Sequence, residues 1–225
     1  MNTRGFLRRA HAGGFRDRHE AGRALGRALA GYRTQSGLVV IGLARGGVPV
    51  AAEVAAVLGA TTDVTLDVLV VRKLGMPGHQ ELALGAITRD QLVLNDRLVA
   101  NLGVAQHDIE AILERERREL QRRENTYRLG RPPPDVTGRT VILVDDGVAT
   151  GATMRVAALS VRAAGAAKVV VAVPTGPDSI FGMFGDAADD VVCVYTPQPF
   201  VAVGLSYRDF DQVTDEEVTA ALTAR

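Results

Sequence analysis

The chain has 225 residues, of which 47% are hydrophobic, and its 26 basic and 26 acidic residues give a formal net charge of zero. This length and composition allow one α/β domain with a full core plus a small addition. No apolar run reaches membrane-spanning length and the first residues hold no continuous apolar segment, so the sequence excludes an integral membrane protein and predicts a cytoplasmic one.

The first 33 residues form a basic segment with eight arginines against two acids, Asp17 and Glu20. Apolar residues at helical spacing predict a helix over 15–31. Because the arginines are not interleaved with a series of aromatic stacking platforms, we do not expect nucleic-acid binding here. We interpret the segment as a solvated helix face or a subunit contact, in keeping with a homodimer.

Apolar runs alternate with helical patterns along the rest of the chain, which is typical of a parallel sheet flanked by helices. The pattern predicts strands over 38–43, 64–71, 141–144, 169–173 and 191–195. It predicts helices over 48–58, 106–128, 153–164 and near 177–187, with a β excursion over 82–94. We therefore expect an α/β fold with a parallel sheet of about five strands.

Two glycine-containing loops follow the first two strands. The first contains Arg45, Gly46 and Gly47, and a turn with one cation and two glycines presents N–H groups to an anion. The second, over 72–78, begins with Arg72 and Lys73. Taken alone, the first loop is explained as well by a tight strand-to-helix turn, and the second by a surface loop with solvated cations.

The most informative segment is VILVDDGVATGATM, over 141–154. A buried strand ends in Asp145 and Asp146, and a loop rich in Gly, Ala and Thr follows. Ligands of open α/β sheets bind outside the carboxyl ends of strands, where loop N–H groups and the next helix can hold a phosphate. Because carboxylates repel phosphate, they are better suited to accept hydrogen bonds from sugar hydroxyls. The segment therefore predicts a site for a ribose 5-phosphate.

This segment resembles the PRPP signature of type I phosphoribosyltransferases: four apolar residues, two acidic ones, a small or apolar one, and a Thr-Gly pair followed by a further Thr or Ser. Every constrained position matches. By that resemblance Asp145 and Asp146 orient the ribose hydroxyls and the waters of a Mg²⁺ ion. The implied 5′-phosphate loop consists of Ala149, Thr150, Gly151, Ala152 and Thr153. The implied pyrophosphate loop consists of Arg45, Gly46 and Gly47.

Two further segments resemble parts of the same family. The 72–78 segment is similar to one in adenine phosphoribosyltransferases, which implies that Arg72 and Lys73 reach pyrophosphate and that 74–81 is a mobile lid. His79 and Glu81 lie there without an assigned role. The segment 199–204 loosely resembles one in hypoxanthine-guanine enzymes, which implies that Phe200 stacks on the base. The alternative is that Phe200 fills a core.

The resemblance implies one phosphoribosyltransferase domain over 1–225, with a base-selecting hood from 82–94 and 195–210 and a long helical insertion at 106–128. The expected reaction is transfer of a phosphoribosyl group from PRPP to a nucleobase-like molecule, with release of pyrophosphate. A PRPP-binding regulator and a hydrolase of PRPP or of a nucleotide remain alternatives. Since Ala149 cannot exchange a proton, where 6-oxopurine enzymes carry an acid, we expect a base other than a 6-oxopurine.

Overall fold

The structure is a computed structural model that describes residues 14–76 and 79–223, with the backbone alone at 79–83. The helices are α1 (Arg18–Ala28), α2 (Gly47–Gly59), α3 (Asp96–Leu102), α4 (Gln106–Arg128), α5 (Ala152–Ala163) and α6 (Asp215–Thr223). The strands are β1 (Leu38–Leu43), β2 (Val64–Leu69), β3 (Arg72–Met76), β4 (His79–Ile87), β5 (Leu92–Leu94), β6 (Thr140–Val144), β7 (Lys168–Thr175) and β8 (Asp190–Tyr195). The side chains of His79 and Glu81 and the first three arginines of the basic segment lie outside the described residues.

Five strands form a parallel sheet in the order β2-β1-β6-β7-β8, which confirms the predicted fold. In it, Val39 of β1 lies opposite Val141 of β6. Ile142 and Val144 pack with α1 and α2 on one face, while Val141 and Leu143 pack with α5 on the other. Because both faces are covered, the strands are nearly continuous apolar runs, which is why the sequence pattern detects them.

The order of the strands places a switch point between β1 and β6. From β1 the chain crosses to β2 on one side, whereas β6 pairs with the other side of β1. The connections that leave the carboxyl ends of β1 and β6 therefore diverge and flank a crevice. In open α/β sheets this crevice is where ligands bind.

A second, antiparallel sheet has the order β3-β4-β5. The loop predicted over 74–81 is wrong in its described part, because these residues belong to the β3–β4 hairpin apart from 77–78, which are not described. The strand pairing shifts register on both sides of Gly75. Glycine is tolerated at such irregularities, so its presence in the sequence did not signal a loop.

The predicted helix over 106–128 is confirmed as α4 with the same bounds. Buried charged side chains of α4 attach it to the second sheet and to β2 through three ion pairs. These pairs are Arg128–Asp67 at 2.6 Å, Arg72–Glu116 at 2.7 Å and Arg89–Glu124 at 2.6 Å. Burial raises the pKa of Asp67, and the charge of Arg128 opposes that rise. Some of the charged residues that the sequence shows on this helix thus form ion pairs with other parts of the fold.

Other elements differ from the predicted pattern. The helix expected near 177–187 is only a 3₁₀ turn at Asp178–Gly182, in a stretch that Pro177 and Gly182 punctuate. The helices α3 and α6 were not predicted. The 195–210 segment contains one 3₁₀ turn, Val203–Ser206, and then runs beside Phe15, whose N–H donates to Ser206. Its role as a hood stays a prediction.

Across the two described ranges, no helix combines the length and the apolar character that a bilayer span requires.

Candidate active site

The carboxylates that follow β6 lie against the loop that follows β1. A Cβ atom at Gly46 would lie 2.0 Å from Oδ2 of Asp146, and one at Gly47 would lie 2.5 Å from the carbonyl oxygen of Val144. Non-bonded heavy atoms do not approach so closely, so glycine at both positions allows the two loops to meet. The structure thus brings the predicted pyrophosphate loop and Asp145 and Asp146 to one place in the crevice.

The two carboxylates lie side by side and are partly buried. The N–H of Asp146 donates to Oδ1 of Asp145 at 2.9 Å. Burial raises the pKa of Asp145 well above its usual range, and the negative charge of Asp146 raises it further. The positive charges of Arg18 and Lys73 oppose that rise, which places both cations within electrostatic reach of Asp145. Such a pair favours ligands that donate hydrogen bonds or carry positive charge.

Arg18 is a site residue that the sequence interpretation missed. Asp17 caps α1 by accepting from the N–H of Glu20 at 2.7 Å, which places Arg18 in the first turn. From there its Nε and Nη2 lie 2.9 and 2.8 Å from Oδ2 of Asp146. The interpretation of the basic segment as a solvated face is wrong for Arg18, whose side chain is only 12% exposed.

An aromatic cluster from the C-terminal part of the chain contacts the backbone of Asp146 and the guanidinium of Arg18. The Tyr207 hydroxyl donates to the backbone carbonyl of Asp146, and the Tyr207 ring stacks on Phe210 at 4.8 Å between centroids. The guanidinium of Arg18 lies 4.0 Å above the Phe210 ring. Burial raises the pKa of Tyr207, which keeps it a proton donor. No local motif marks these residues, because the contacts span 128 and 61 positions of sequence.

The predicted phosphate loop leads into the N-terminus of α5. Gly151, with φ of +76°, precedes the first helical residue, Ala152. The first N–H groups of a helix have no partner within it and carry the positive end of its dipole. Among the described residues, the hydroxyls of Thr150 and Thr153 have no hydrogen-bond partner. Donors of this kind, at the carboxyl edge of a parallel sheet, can hold a phosphate.

The three predicted pyrophosphate cations have different surroundings. Arg45, which follows a cis peptide bond, lies 3.6 Å from the Asp215 carboxylate of α6. Arg72 donates from Nε to Glu116 at 2.8 Å, so part of its guanidinium is already engaged by α4. Lys73 is exposed, and no ion-pair partner for it exists among the described side chains. Among the described side chains, Lys73 is therefore the one of the three that has no ion pair to give up when it binds an anion.

Phe200 is partly buried and belongs to none of the three apolar clusters that the described residues form. Its neighbour Val201 is 70% exposed. This placement does not favour the alternative that Phe200 fills a core, and contact with a base stays a prediction.

Comparison with known proteins places these features in context. The model of the phosphoribosyl transferase domain family matches residues 15–179. A curated Mycobacterium tuberculosis protein (strain ATCC 25618 / H37Rv), named "Putative phosphoribosyl transferase Rv0571c", is 50% identical over 209 residues, which are 92% of this chain and 46% of that protein. The protein named "Putative phosphoribosyl transferase MT0597", from strain CDC 1551 / Oshkosh, gives the same figures. The chain thus spans about half the length of these relatives.

A solved structure is also similar over nearly all of both chains. The crystal structure of TT1426 from Thermus thermophilus is 44% identical in sequence, with a TM-score of 0.77. The match covers 93% of this chain and 98% of that one.

Proposed function

The chain belongs to the phosphoribosyl transferase domain family, and from that membership we propose that it transfers a 5-phosphoribosyl group from PRPP to a nitrogenous base. The observation that carries the proposal is the convergence at the switch point. There, the glycines after β1 lie against the carboxylate pair after β6, and the same connection continues into the N-terminus of α5. One crevice thus brings together N–H donors suited to anions and carboxylate acceptors suited to a sugar.

In the proposed reaction the bond from ribose C1 to the pyrophosphate oxygen breaks, and a bond from C1 to a base nitrogen forms. Positive charge develops on the ribose ring as pyrophosphate leaves, so stabilisation of the leaving group is the main catalytic requirement. Arg45 and Lys73 would neutralise it, and the N–H groups beside Gly46 and Gly47 would bind its oxygens. Arg72 would join them by sharing its guanidinium with Glu116.

The carboxylates would act on the sugar rather than on the leaving group. Asp145 and Asp146 would accept hydrogen bonds from the ribose hydroxyls, and their negative charge would favour the cationic ring. The loop over 149–153 would hold the 5′-phosphate, which fixes C1 relative to pyrophosphate and base. Exclusion of water by the surrounding segments would protect the cationic sugar from hydrolysis.

We also propose Mg²⁺ as the cofactor. Within the described part of the chain, no three His, Cys, Asp or Glu side chains form a complete metal site. The paired carboxylates Asp145 and Asp146 nonetheless fit Mg²⁺, which commonly takes one or two protein carboxylates and completes its shell with substrate oxygens and water. When bound, the ion supplies positive charge to the pyrophosphate oxygens.

The proposed acceptor is a base other than a 6-oxopurine, with adenine or a related heterocycle ahead of a pyrimidine. Ala149 is exposed at the start of the phosphate loop and offers no group that exchanges a proton with the base. Phe200 would stack on the ring.

Purified protein incubated with PRPP, with and without Mg²⁺, and with a panel of purines and pyrimidines tests the proposal through release of pyrophosphate and formation of a nucleoside monophosphate. We expect both products with one class of base, and only with Mg²⁺. Release of pyrophosphate without a base would indicate the hydrolase, and PRPP binding without release would indicate the regulator.

The variants Asp145→Asn and Asp146→Asn connect that activity to the site. Each should fold normally and lose about tenfold or more in turnover, because a charge-assisted bond to a hydroxyl contributes about 1.5–3 kcal/mol. Asp108→Asn makes the same chemical change at a 48% exposed position of α4 and should retain full activity. Full activity in either site variant would remove the carboxylates from the mechanism.

A further inference from the structure

Each nitrogen of the Arg18 guanidinium lies within 3 Å of a protein oxygen. Nε donates to Oδ2 of Asp146 at 2.9 Å, Nη2 lies 2.8 Å from the same oxygen, and Nη1 donates to the carbonyl oxygen of Asp211 at 2.7 Å. The Phe210 ring covers one face of the group at 4.0 Å. A planar guanidinium held at three nitrogens and one face has little freedom to rotate. Arg18 therefore holds Asp146 in one orientation.

In that orientation the two carboxylate oxygens of Asp146 have different surroundings. Oδ2 lies beside Gly46 and is occupied by Arg18. No side-chain donor among the described residues reaches Oδ1, so this oxygen is the one that no side chain occupies. The Tyr207 hydroxyl fixes the backbone of the same residue through its carbonyl oxygen. The carboxylate is thus aimed by contacts that lie outside both anion-binding loops.

We propose that Arg18 is a positioning residue for phosphoribosyl transfer, which holds Asp146 so that its Oδ1 accepts a hydrogen bond from a ribose hydroxyl of PRPP. This inference rests on the proposed function, since it assigns the orientation of a carboxylate in that site. It extends the site to α1, which carries no part of the PRPP signature.

A second arginine of α1, Arg23, provides a control because it makes an exposed ion pair away from Asp146. Arg23 lies 3.3 Å from Glu53 of α2, and its side chain is 40% exposed. An exposed pair of that length contributes little to stability. Arg23→Met therefore removes an arginine from the same helix without touching Asp146, and it serves as the matched control for Arg18→Met.

The test measures PRPP and pyrophosphate affinity by calorimetry, together with the KM and kcat of turnover, for wild type, Arg18→Met, Arg18→Lys and Arg23→Met. PRPP affinity should fall about tenfold or more in Arg18→Met, the weight of one charge-assisted hydrogen bond. Pyrophosphate affinity should stay within twofold, because pyrophosphate has no ribose for Asp146 to bind. Arg18→Lys should recover part of the loss, and Arg23→Met should match wild type.

The outcomes separate this inference from the proposed function. Wild-type protein that binds pyrophosphate but neither binds nor consumes PRPP would overturn the proposed function, and the ribose role of Arg18 with it. Active wild-type protein with unchanged PRPP affinity in folded Arg18→Met would overturn only the positioning role. Equal losses of PRPP and pyrophosphate affinity in Arg18→Met would also overturn it, because they would show a general structural effect on the crevice.

Discussion

Replacing Gly46 by alanine tests whether the loop after β1 controls the position of Asp146. Gly46 has φ of −59° and ψ of −32°, a conformation that alanine adopts without strain, so the substitution changes only the space around the backbone. The added Cβ would lie 2.0 Å from Oδ2 of Asp146. Ordinary contact requires the carboxylate to withdraw by about 1.5 Å.

The size of the effect follows from what that withdrawal breaks. Oδ2 accepts from Nε of Arg18 at 2.9 Å, and a displacement of this size takes it beyond hydrogen-bonding range. A hydrogen bond between charged groups contributes about 1.5–3 kcal/mol. If the lost orientation is expressed fully in the transition state, kcat/KM for PRPP should fall by about 10- to 150-fold.

The assay compares kcat/KM and thermal unfolding of Gly46→Ala with those of Gly59→Ala. Gly46 is the N-cap of α2 and Gly59 is its last residue, where a Cβ would meet nothing within 4 Å. Gly59→Ala should keep wild-type activity and gain up to about 1 kcal/mol of stability from reduced chain entropy. The reasoning is refuted if folded Gly46→Ala turns over PRPP within twofold of wild type, or if both variants lose activity equally.

Lys73→Ala should weaken PRPP and pyrophosphate binding but leave nucleoside monophosphate binding nearly unchanged. The control Lys168→Ala, which removes a lysine that lies over the Tyr32 ring, should alter none of these affinities. Equal losses for all three ligands in Lys73→Ala would contradict the pyrophosphate role. Phe200→Ala should weaken nucleotide binding by about 1–3 kcal/mol with little change in melting temperature, whereas Phe184→Ala, at a 1% exposed core position, should cost about 3–5 kcal/mol of stability. A large drop in the melting temperature of Phe200→Ala with unchanged nucleotide affinity would restore the core alternative. Hypoxanthine and guanine should be poor acceptors in the pyrophosphate-release assay, and turnover with either that equals the best substrate would overturn the argument from Ala149.

The central sheet could be predicted because its strands are buried on both faces. Runs such as Val141–Val144 contain only apolar residues, and that pattern depends on local sequence alone. The carboxylates and the phosphate loop could also be predicted from local sequence, since Asp145, Asp146 and Gly151 lie within one strand-loop-helix unit. Their spacing carries the chemistry.

Features that depend on distant partners could not be predicted. Arg18 is one arginine among eight in its segment, and only the packing of α1 against the sheet selects it. Glu116 is one acid on a strongly charged helix, yet it is 5% exposed and pairs with Arg72 across 44 positions. The β3 strand was missed for a related reason, because its pairing with β4 compensates for a glycine that is unfavourable in an isolated strand.

The contacts that hold Asp146 also determine when, during synthesis, the protein can first bind its ligand. The partners of Asp146 come from Arg18, 128 positions earlier, and from Tyr207, 61 positions later. During synthesis, β1 and β6 can assemble while 207–211 are still to be made, so a nascent chain can hold the sheet without an aimed carboxylate. We therefore expect ligand affinity to arise only after the segment that contains Tyr207 and Asp211 has been made and has packed against Asp146 and Arg18.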